Sequence, residues 1–178
     1  MKKILIILLL ASQICNAQSF SQRTLKPILI QLSDNVSSTS TTVTGVTDWA
    51  IPVTIGKVYR VVINATYQSG ATTTGGKLGF YMTSGSGTIT GEIKGHITQS
   101  AASSPLSITV RTCTTAGAAG SILTTTAVNP INSPHYIGAD IMFTCTETGV
   151  LQIGWGSEVN ASAAQLNTGS ILIYQLLN

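Results

Sequence analysis

Apolar and polar residues alternate with a period of two along much of the chain. In the stretch GKVYRVVINATYQSG, apolar side chains occupy every second position: Tyr59, Val61, Ile63, Ala65 and Tyr67. Because successive residues of a strand point to opposite sides, this spacing places the five side chains on one face. The pattern predicts a strand with one face buried and the other toward water.

The same alternation returns in the C-terminal half of the chain. It predicts a long strand from His135 to about Thr148 and, after a short Thr-Gly-Val connection, a further strand over LQIGW. The residues that share the apolar faces of these strands are Ile137, Ala139, Ile141, Phe143, Cys145, Leu151, Ile153 and Trp155.

Turn clusters divide the remaining sequence into further strand segments. The clusters ATTTGG, AGAAGS and NPINSP separate predicted strands over KLGFYMTS, GSGTITGEIKGHITQS, PLSITVRTC and ILTTTAV. Gly91 and Gly95 interrupt the second of these strands, where bulges or close packing are expected. Val36–Val46 is predicted to be an edge strand or an extended loop, and residues 18–33 an N-terminal arm or first strand. Together the segments predict an all-β fold, an antiparallel, jelly-roll-like β-sandwich of about eight to ten strands over residues 34–178.

The last segment, SILIYQLL, is apolar at both parities. Ile171 and Ile173 fall on one face, and Leu172, Tyr174 and Leu176 fall on the other. A strand that is apolar on both faces is either central in its own subunit or covered by a second one. We expect the second arrangement, a homo-oligomer that buries Leu172, Tyr174 and Leu176, because soluble monomers rarely expose such a patch.

The first residues have the pattern of a secretory signal peptide. Two lysines precede an apolar run from Ile4 to Leu10, and the small residue Ala17 precedes Gln18. The run is shorter than the roughly 20 residues that a membrane-spanning helix needs. Residues 1–17 are therefore predicted to be cleaved, which leaves a mature protein without a membrane span.

The composition supports a folded chain and argues against a nucleic-acid partner. Charged residues make up 8% of the sequence and hydrophobic residues 43%, whereas disordered chains combine low hydrophobicity with high charge. Loss of the two leader lysines reduces the 9 basic residues to 7, against 6 acidic residues. Since the basic residues are scattered, no patch indicates nucleic-acid binding.

Two cysteines, Cys113 and Cys145, remain after removal of the leader. An exported protein meets an oxidising compartment, so a disulfide between them is one hypothesis. Alternation places Cys145 on the apolar face of its strand and Cys113 opposite the apolar face of its own. The alternative, two unbridged thiols, is equally compatible with the sequence.

No spacing of chemically active residues indicates an enzyme. His96 and His135 lack the spacing of a zinc site, and the serines lack a GxSxG motif that would give His135 and Asp140 a nucleophile. Carboxylates are never paired locally; they are Asp34, Asp48, Glu92, Asp140, Glu147 and Glu158. Trp49 and Trp155 are predicted to lie in the core rather than in a sugar site. No catalytic, cofactor-binding or metal-binding residue is predicted.

From about Leu32 to the C terminus, the chain resembles a small β-domain family of tailed-phage virion proteins. The resemblance begins with an opening Asp, an apolar-Pro-Val step, a Gly-Lys-x-Tyr strand start and a Thr-Thr-Gly turn. These places are occupied by Asp34, Pro52, Val53, Gly56, Lys57, Tyr59, Thr73, Thr74 and Gly75. It closes with a Ser-Glu pair at Ser157 and Glu158, a small-residue loop, Gly-Ser and a final apolar strand.

This resemblance implies a structural component of a virion head, tail or fibre that needs no cofactor. It implies a homo-oligomer, with a trimer preferred, and contacts with other virion proteins or a cell-surface receptor. Glu158 would be a structural residue that accepts hydrogen bonds from a turn or a neighbouring subunit. The predicted leader departs from the family, whose members assemble in the cytoplasm. The alternative is a secreted or cell-surface bacterial β-sandwich that acts as an adhesin or binding module.

Overall fold

Ten antiparallel strands make up the described part of the chain. A computed structural model describes residues 25–96, 107–113, 121–124 and 131–178. The strands are β1 (Ile28–Gln31), β2 (Val36–Ser38), β3 (Thr44–Val53), β4 (Val58–Ser69), β5 (Gly76–His96), β6 (Ser107–Cys113), β7 (Ser121–Thr124), β8 (His135–Ser157), β9 (Ala164–Leu166) and β10 (Ile171–Leu176). The predicted all-β class and β-sandwich architecture are confirmed. The predicted signal peptide, residues 1–17, lies outside the described residues.

The two longest strands hold the sandwich together. β5 has 21 residues and β8 has 23, and they pair with each other along most of their length. The first part of β8 joins one half of the sheet, sheet I, in the order β1-β10-β4-β8-β5-β6. Its last part joins the other half, sheet II, which contains β3, β8, β5 and β7. The curled sheet thereby packs its two halves around one core.

The sequence predicted two strands where the structure has one, in both β5 and β8. The pairing register shifts between Met82 and Gly87 on β5, opposite the predicted Thr-Gly-Val connection of β8. Gly85 has a φ of 79°, a left-handed conformation that glycine adopts at little cost. Bulges of this kind bend a strand without ending it, which is why turn-like residues here do not form a turn.

The core contains the residues that alternation selected. Tyr59, Val61, Ile63, Ala65 and Tyr67 of β4 are all buried, as are the five predicted residues of β8 from Ile137 to Cys145. Trp49 and Trp155 are fully buried, which confirms their predicted place in the core.

A four-residue bulge in β3 was not predicted. Gly45 pairs with Gly154 and Ala50 pairs with Gln152, so four residues of β3 face a single residue of β8. The buried Gln152 side chain lies beside this bulge, and its Nε2 donates to Val46 O at 2.7 Å and to Trp49 O at 3.2 Å. The amide therefore replaces ladder hydrogen bonds that the bulge removes.

The predicted subunit interface on β10 is wrong in its choice of face. Leu172, Tyr174 and Leu176 pair with Ile63, Val61 and Tyr59, whose side chains form the core. Leu172 is fully buried, and the other two pack against the core of their own subunit. This face of β10 is therefore turned toward the core of its own subunit, with Tyr174 and Leu176 half-buried there. Ile171 and Ile173 point the other way.

The expectation that Cys113 and Cys145 lie on opposite faces is also wrong. Both residues are in register with Gly87, one on each side of β5, so their positions share a face. A register shift between Ile89 and Gly91 reverses the parity of β6. Two strand spacings separate the positions by about 10 Å, beyond the roughly 7 Å limit for a disulfide. Cys145 carries a free, buried thiol.

The Cys145 thiol should make stability depend on pH in the alkaline range. Burial raises the pKa of Cys145 in the folded protein. The stabilisation is therefore complete below the unfolded pKa of about 8.5 and is lost as pH rises toward the higher folded value. We expect urea denaturation to show a free energy of unfolding that falls above this pH, with a smaller fall in Cys145→Ala. Burial also raises the pKa of Tyr81, which gives a pH dependence of the same sign. The difference between the unmodified protein and Cys145→Ala therefore isolates the contribution of Cys145. Identical pH dependence in both proteins would contradict the assignment.

Candidate functional site: the outer face of sheet I

An apolar patch covers part of the outer face of sheet I. Leu29, Ile173 and Val62 lie side by side on three adjacent strands, β1, β10 and β4. Leu29 is 59% exposed, and the other two are half-buried. Ile171 and Met142, also half-buried, extend the same face. We call these five residues the apolar patch.

An ion pair borders the apolar patch. Arg60 donates from Nε to Asp140 Oδ1 at 3.0 Å and from Nη2 to Asp140 Oδ2 at 2.6 Å. This bidentate hydrogen bonding, together with the charge of Asp140, raises the pKa of Arg60. Both side chains are about half exposed, so the pair contributes little to stability. Because the two charges cancel, the surface beside the apolar patch carries no net charge from this pair.

A groove lies next to the patch, around Tyr136. The Tyr136 hydroxyl donates to Asn64 Oδ1 at 2.9 Å, which ties the side chain across the sheet. Its ring runs over Gly138, where an added Cβ would lie 2.1 Å from the tyrosine oxygen. Two concavities of about 200 and 250 Å³ share Asn64 and Tyr136 as walls. We call this region the Tyr136 groove.

His135 and Asp140, the histidine and carboxylate that a catalytic triad would need, do not come together. His135 is buried on the core face, with its ring centroid 5.6 Å from that of Tyr67. Asp140 lies on the outer face in its ion pair with Arg60. The side chains of His96 and Glu92 lie outside the described ones.

Two carboxylates that are distant in sequence meet around one hydroxyl. Ser33 Oγ lies 3.2 Å from Oδ2 of both Asp34 and Asp48, and its single proton can be donated to one of them at a time. Among the residues described, no group of three or more potential ligands is arranged to hold a metal ion. The same residues include no helix long and apolar enough to cross a membrane.

Glu158 closes the connection between β8 and β9. Its Oε2 accepts from the Gly75 N–H at 3.1 Å, and its own N–H donates to Gly75 O at 2.9 Å. This reciprocal pair ties the start of β5 to the end of β8. The expected hydrogen bond from a turn is therefore present, and Glu158 has a structural contact within its own subunit.

Sequence reasoning missed the Tyr136 groove. Asn64 and Gly138 are in register on β4 and β8, and Tyr136 lies two residues before Gly138 on the same face. Only the pairing of the two strands brings these residues together. The sequence offered one indication of the groove. Tyr136 has an even number, whereas the apolar residues that alternate along this part of β8 have odd numbers and are buried.

The sequence matches no protein-family model and no curated protein. Among solved structures, the chain is similar to Eiger TNF from S. frugiperda, with 11% identity, a TM-score of 0.44 and coverage of 88% of this chain and 94% of that one. It is also similar to the infectious bursal disease virus VP2 subviral particle and to the Gx strain of that virus. Identities are 13% and 12%, TM-scores 0.23 and 0.20, and coverage 87% and 86% of this chain against 38% and 37% of those. At these identities and TM-scores the three structures identify no family, and the resemblance to phage virion domains stays a prediction.

Proposed function

We propose that the protein is a non-enzymatic structural β-domain of a phage or prophage-derived virion that assembles as a homo-oligomer. The observation that carries the assembly proposal is the apolar patch on the outer face of sheet I. Leu29, Ile173 and Val62 form a continuous row across three strands, beside an ion pair that neutralises its own charge.

A second copy of the chain is the partner that this face fits. Two apolar surfaces, each bordered by a neutral Arg60–Asp140 pair, meet without opposing like charges. Burying a fully exposed large apolar side chain contributes roughly 1.5–3 kcal/mol before the entropy of association is deducted, and the half-buried members of the patch contribute less than this. The oligomer thus keeps the predicted use of the C-terminal strand but places Ile171 and Ile173 at the interface.

The apolar face is smaller than a standard subunit interface. Four strands about 4.8 Å apart, each contributing about five residues, present a face of roughly 300 Å². A standard interface buries about 800 Å² on each partner. The face alone therefore does not fix the number of subunits, and the trimer preference rests on the resemblance to fibre-like virion proteins.

Support for a virion comes from the sequence pattern that runs from Asp34 to the Ser157–Glu158 pair. Genes for portal, terminase or tail proteins beside the coding sequence would agree with it. Secretion or surface genes in those positions would favour the alternative, a cell-surface or secreted binding module.

We expect the substitution Ile173→Asp to dissociate the oligomer, because it places a carboxylate in the middle of the apolar row. Light scattering after size exclusion, on protein that begins at Gln18, measures the mass directly. The matched control is Ile55→Asp, since Ile55 is 59% exposed on the turn between β3 and β4. The control should keep the mass of the unmodified protein. The assembly proposal would be contradicted if the unmodified protein is monomeric at micromolar concentration. It would also be contradicted if the Ile173→Asp variant keeps the mass of the oligomer.

A further inference from the structure

We propose that the Tyr136 groove binds a neutral, hydroxyl-rich ligand of the carbohydrate class. The inference goes beyond the proposed assembly, because the groove lies within one subunit and shares only its edge, Val62 and Asp140, with the apolar patch and the ion pair beside it. Its walls come from β4, β8 and the turn that precedes β10.

Tyr136 is the most exposed aromatic residue among the side chains that the structure describes. Trp49, Trp155, Tyr67 and Phe80 are fully buried, whereas Tyr136 is 41% exposed. A sugar ring packs its C–H groups against an aromatic face and leaves its hydroxyls free for polar contacts.

The Tyr136 ring is held in place before any ligand binds. Its hydroxyl bonds to Asn64, and the missing side chain of Gly138 leaves room for the tyrosine to lie along the sheet. A side chain that is already ordered loses little conformational entropy on binding, so even a small contact area gives measurable affinity.

Polar groups that suit hydroxyls surround this ring. The Asn64 amide retains its NH2 donors, and the Asp140 carboxylate forms part of the wall on the other side. Planar amides and carboxylates can hydrogen-bond two neighbouring hydroxyls at once. Because Asp140 is paired with Arg60, the groove offers polar contacts without a strong net charge, which favours a neutral ligand over an anion or a cation.

The size of the groove sets the size of the ligand. Its two concavities of about 200 and 250 Å³ are smaller than the roughly 300–1,000 Å³ of sites for drug-sized ligands and cofactors. They lie on either side of Tyr136, and the second extends to the turn at Thr168–Ser170. Each concavity accommodates one sugar residue, and the pair suits two consecutive residues of a glycan.

Saturation-transfer NMR tests the proposal, with methyl glycosides of glucose, galactose, mannose, N-acetylglucosamine and N-acetylgalactosamine as probes and sialic acid as the anionic comparison. We expect at least one neutral glycoside to bind saturably and more strongly than sialic acid. Tyr136→Ala should weaken binding by about tenfold or more, which corresponds to the loss of the stacking contact. The matched control is Tyr81→Ala, since Tyr81 is a half-buried tyrosine outside the groove.

Asn64→Ala provides a second variant in case Tyr136→Ala fails to fold, as judged by circular dichroism, and it should weaken binding in the same direction. Binding should persist in Ile173→Asp, so a failure of the assembly proposal leaves this result intact. Absence of binding by every neutral glycoside, or equal binding by the unmodified protein and a folded groove variant, would overturn the proposal.

Discussion

A Gly149→Ala variant is expected to lose most of the stability of the native fold. A Cβ at position 149 would lie 1.9 Å from Ser84 O and 2.5 Å from Ser84 C. These are backbone atoms of the neighbouring strand, so they cannot move away as a flexible side chain could. Gly149 lies where β8 passes from sheet I to sheet II, and a displacement there disturbs the pairing of both halves. We expect the free energy of unfolding to fall by more than about 3 kcal/mol.

Urea denaturation followed by circular dichroism measures this loss. The matched control is Gly56→Ala, because Gly56 has a φ of 76° but an added Cβ there meets nothing within 4 Å. The control should lose only the roughly 1–2 kcal/mol of a left-handed alanine. A Gly149→Ala variant no less stable than the control would show that the two strands can separate at the bend without cost.

Replacing Gln152 by methionine should be the next most damaging change. Methionine keeps the length of the side chain but cannot donate to Val46 O, Trp49 O or Ile153 O, which Gln152 Nε2 contacts at 2.7, 3.2 and 3.0 Å. Each buried carbonyl left without a donor costs about 1–3 kcal/mol. Because the β3 bulge removes ladder partners from this region, we expect a total loss of about 2–5 kcal/mol.

Gln165→Met is the control for the loss of a glutamine from a strand. Gln165 is half-buried on β9. Within the described region, its side chain donates a single hydrogen bond, of 3.3 Å, to Asn167 Oδ1. The control should change stability by less than about 1 kcal/mol. If both variants unfold at the same urea concentration, the Gln152 amide does not hold the bulge.

The alternation of apolar and polar residues predicted burial well where a strand has one solvent-exposed face. In β4 every second residue from Tyr59 to Tyr67 is buried, because the other side of sheet I is exposed. It fails near the end of β8, where Leu151 to Ser157 are all buried. There the bulge of β3 and its neighbours cover the second face, and a period of two carries no information about burial.

The site was beyond sequence reasoning for a different reason. Ile173 and Val62 were both visible as apolar residues, but only the register of β10 against β4 places them on the outer face. The same holds for Asn64 and Tyr136, which are separated by 72 residues and joined by one hydrogen bond. Alternation indicates which residues of one strand share a face, but it does not indicate which distant strand pairs with it.

The position of β10 has a consequence for the order in which the protein folds. β10 alone separates β1 from β4, so the β1 strand has no ladder partner until residues 171–176 have left the ribosome. Until then the edge of β4 stays open beside an unfinished core, an arrangement that invites intermolecular pairing. Closure joins segments about 140 residues apart, and pairings of such range place folding in milliseconds to seconds rather than microseconds. The nascent chain therefore needs protection from aggregation for longest at its N-terminal strands.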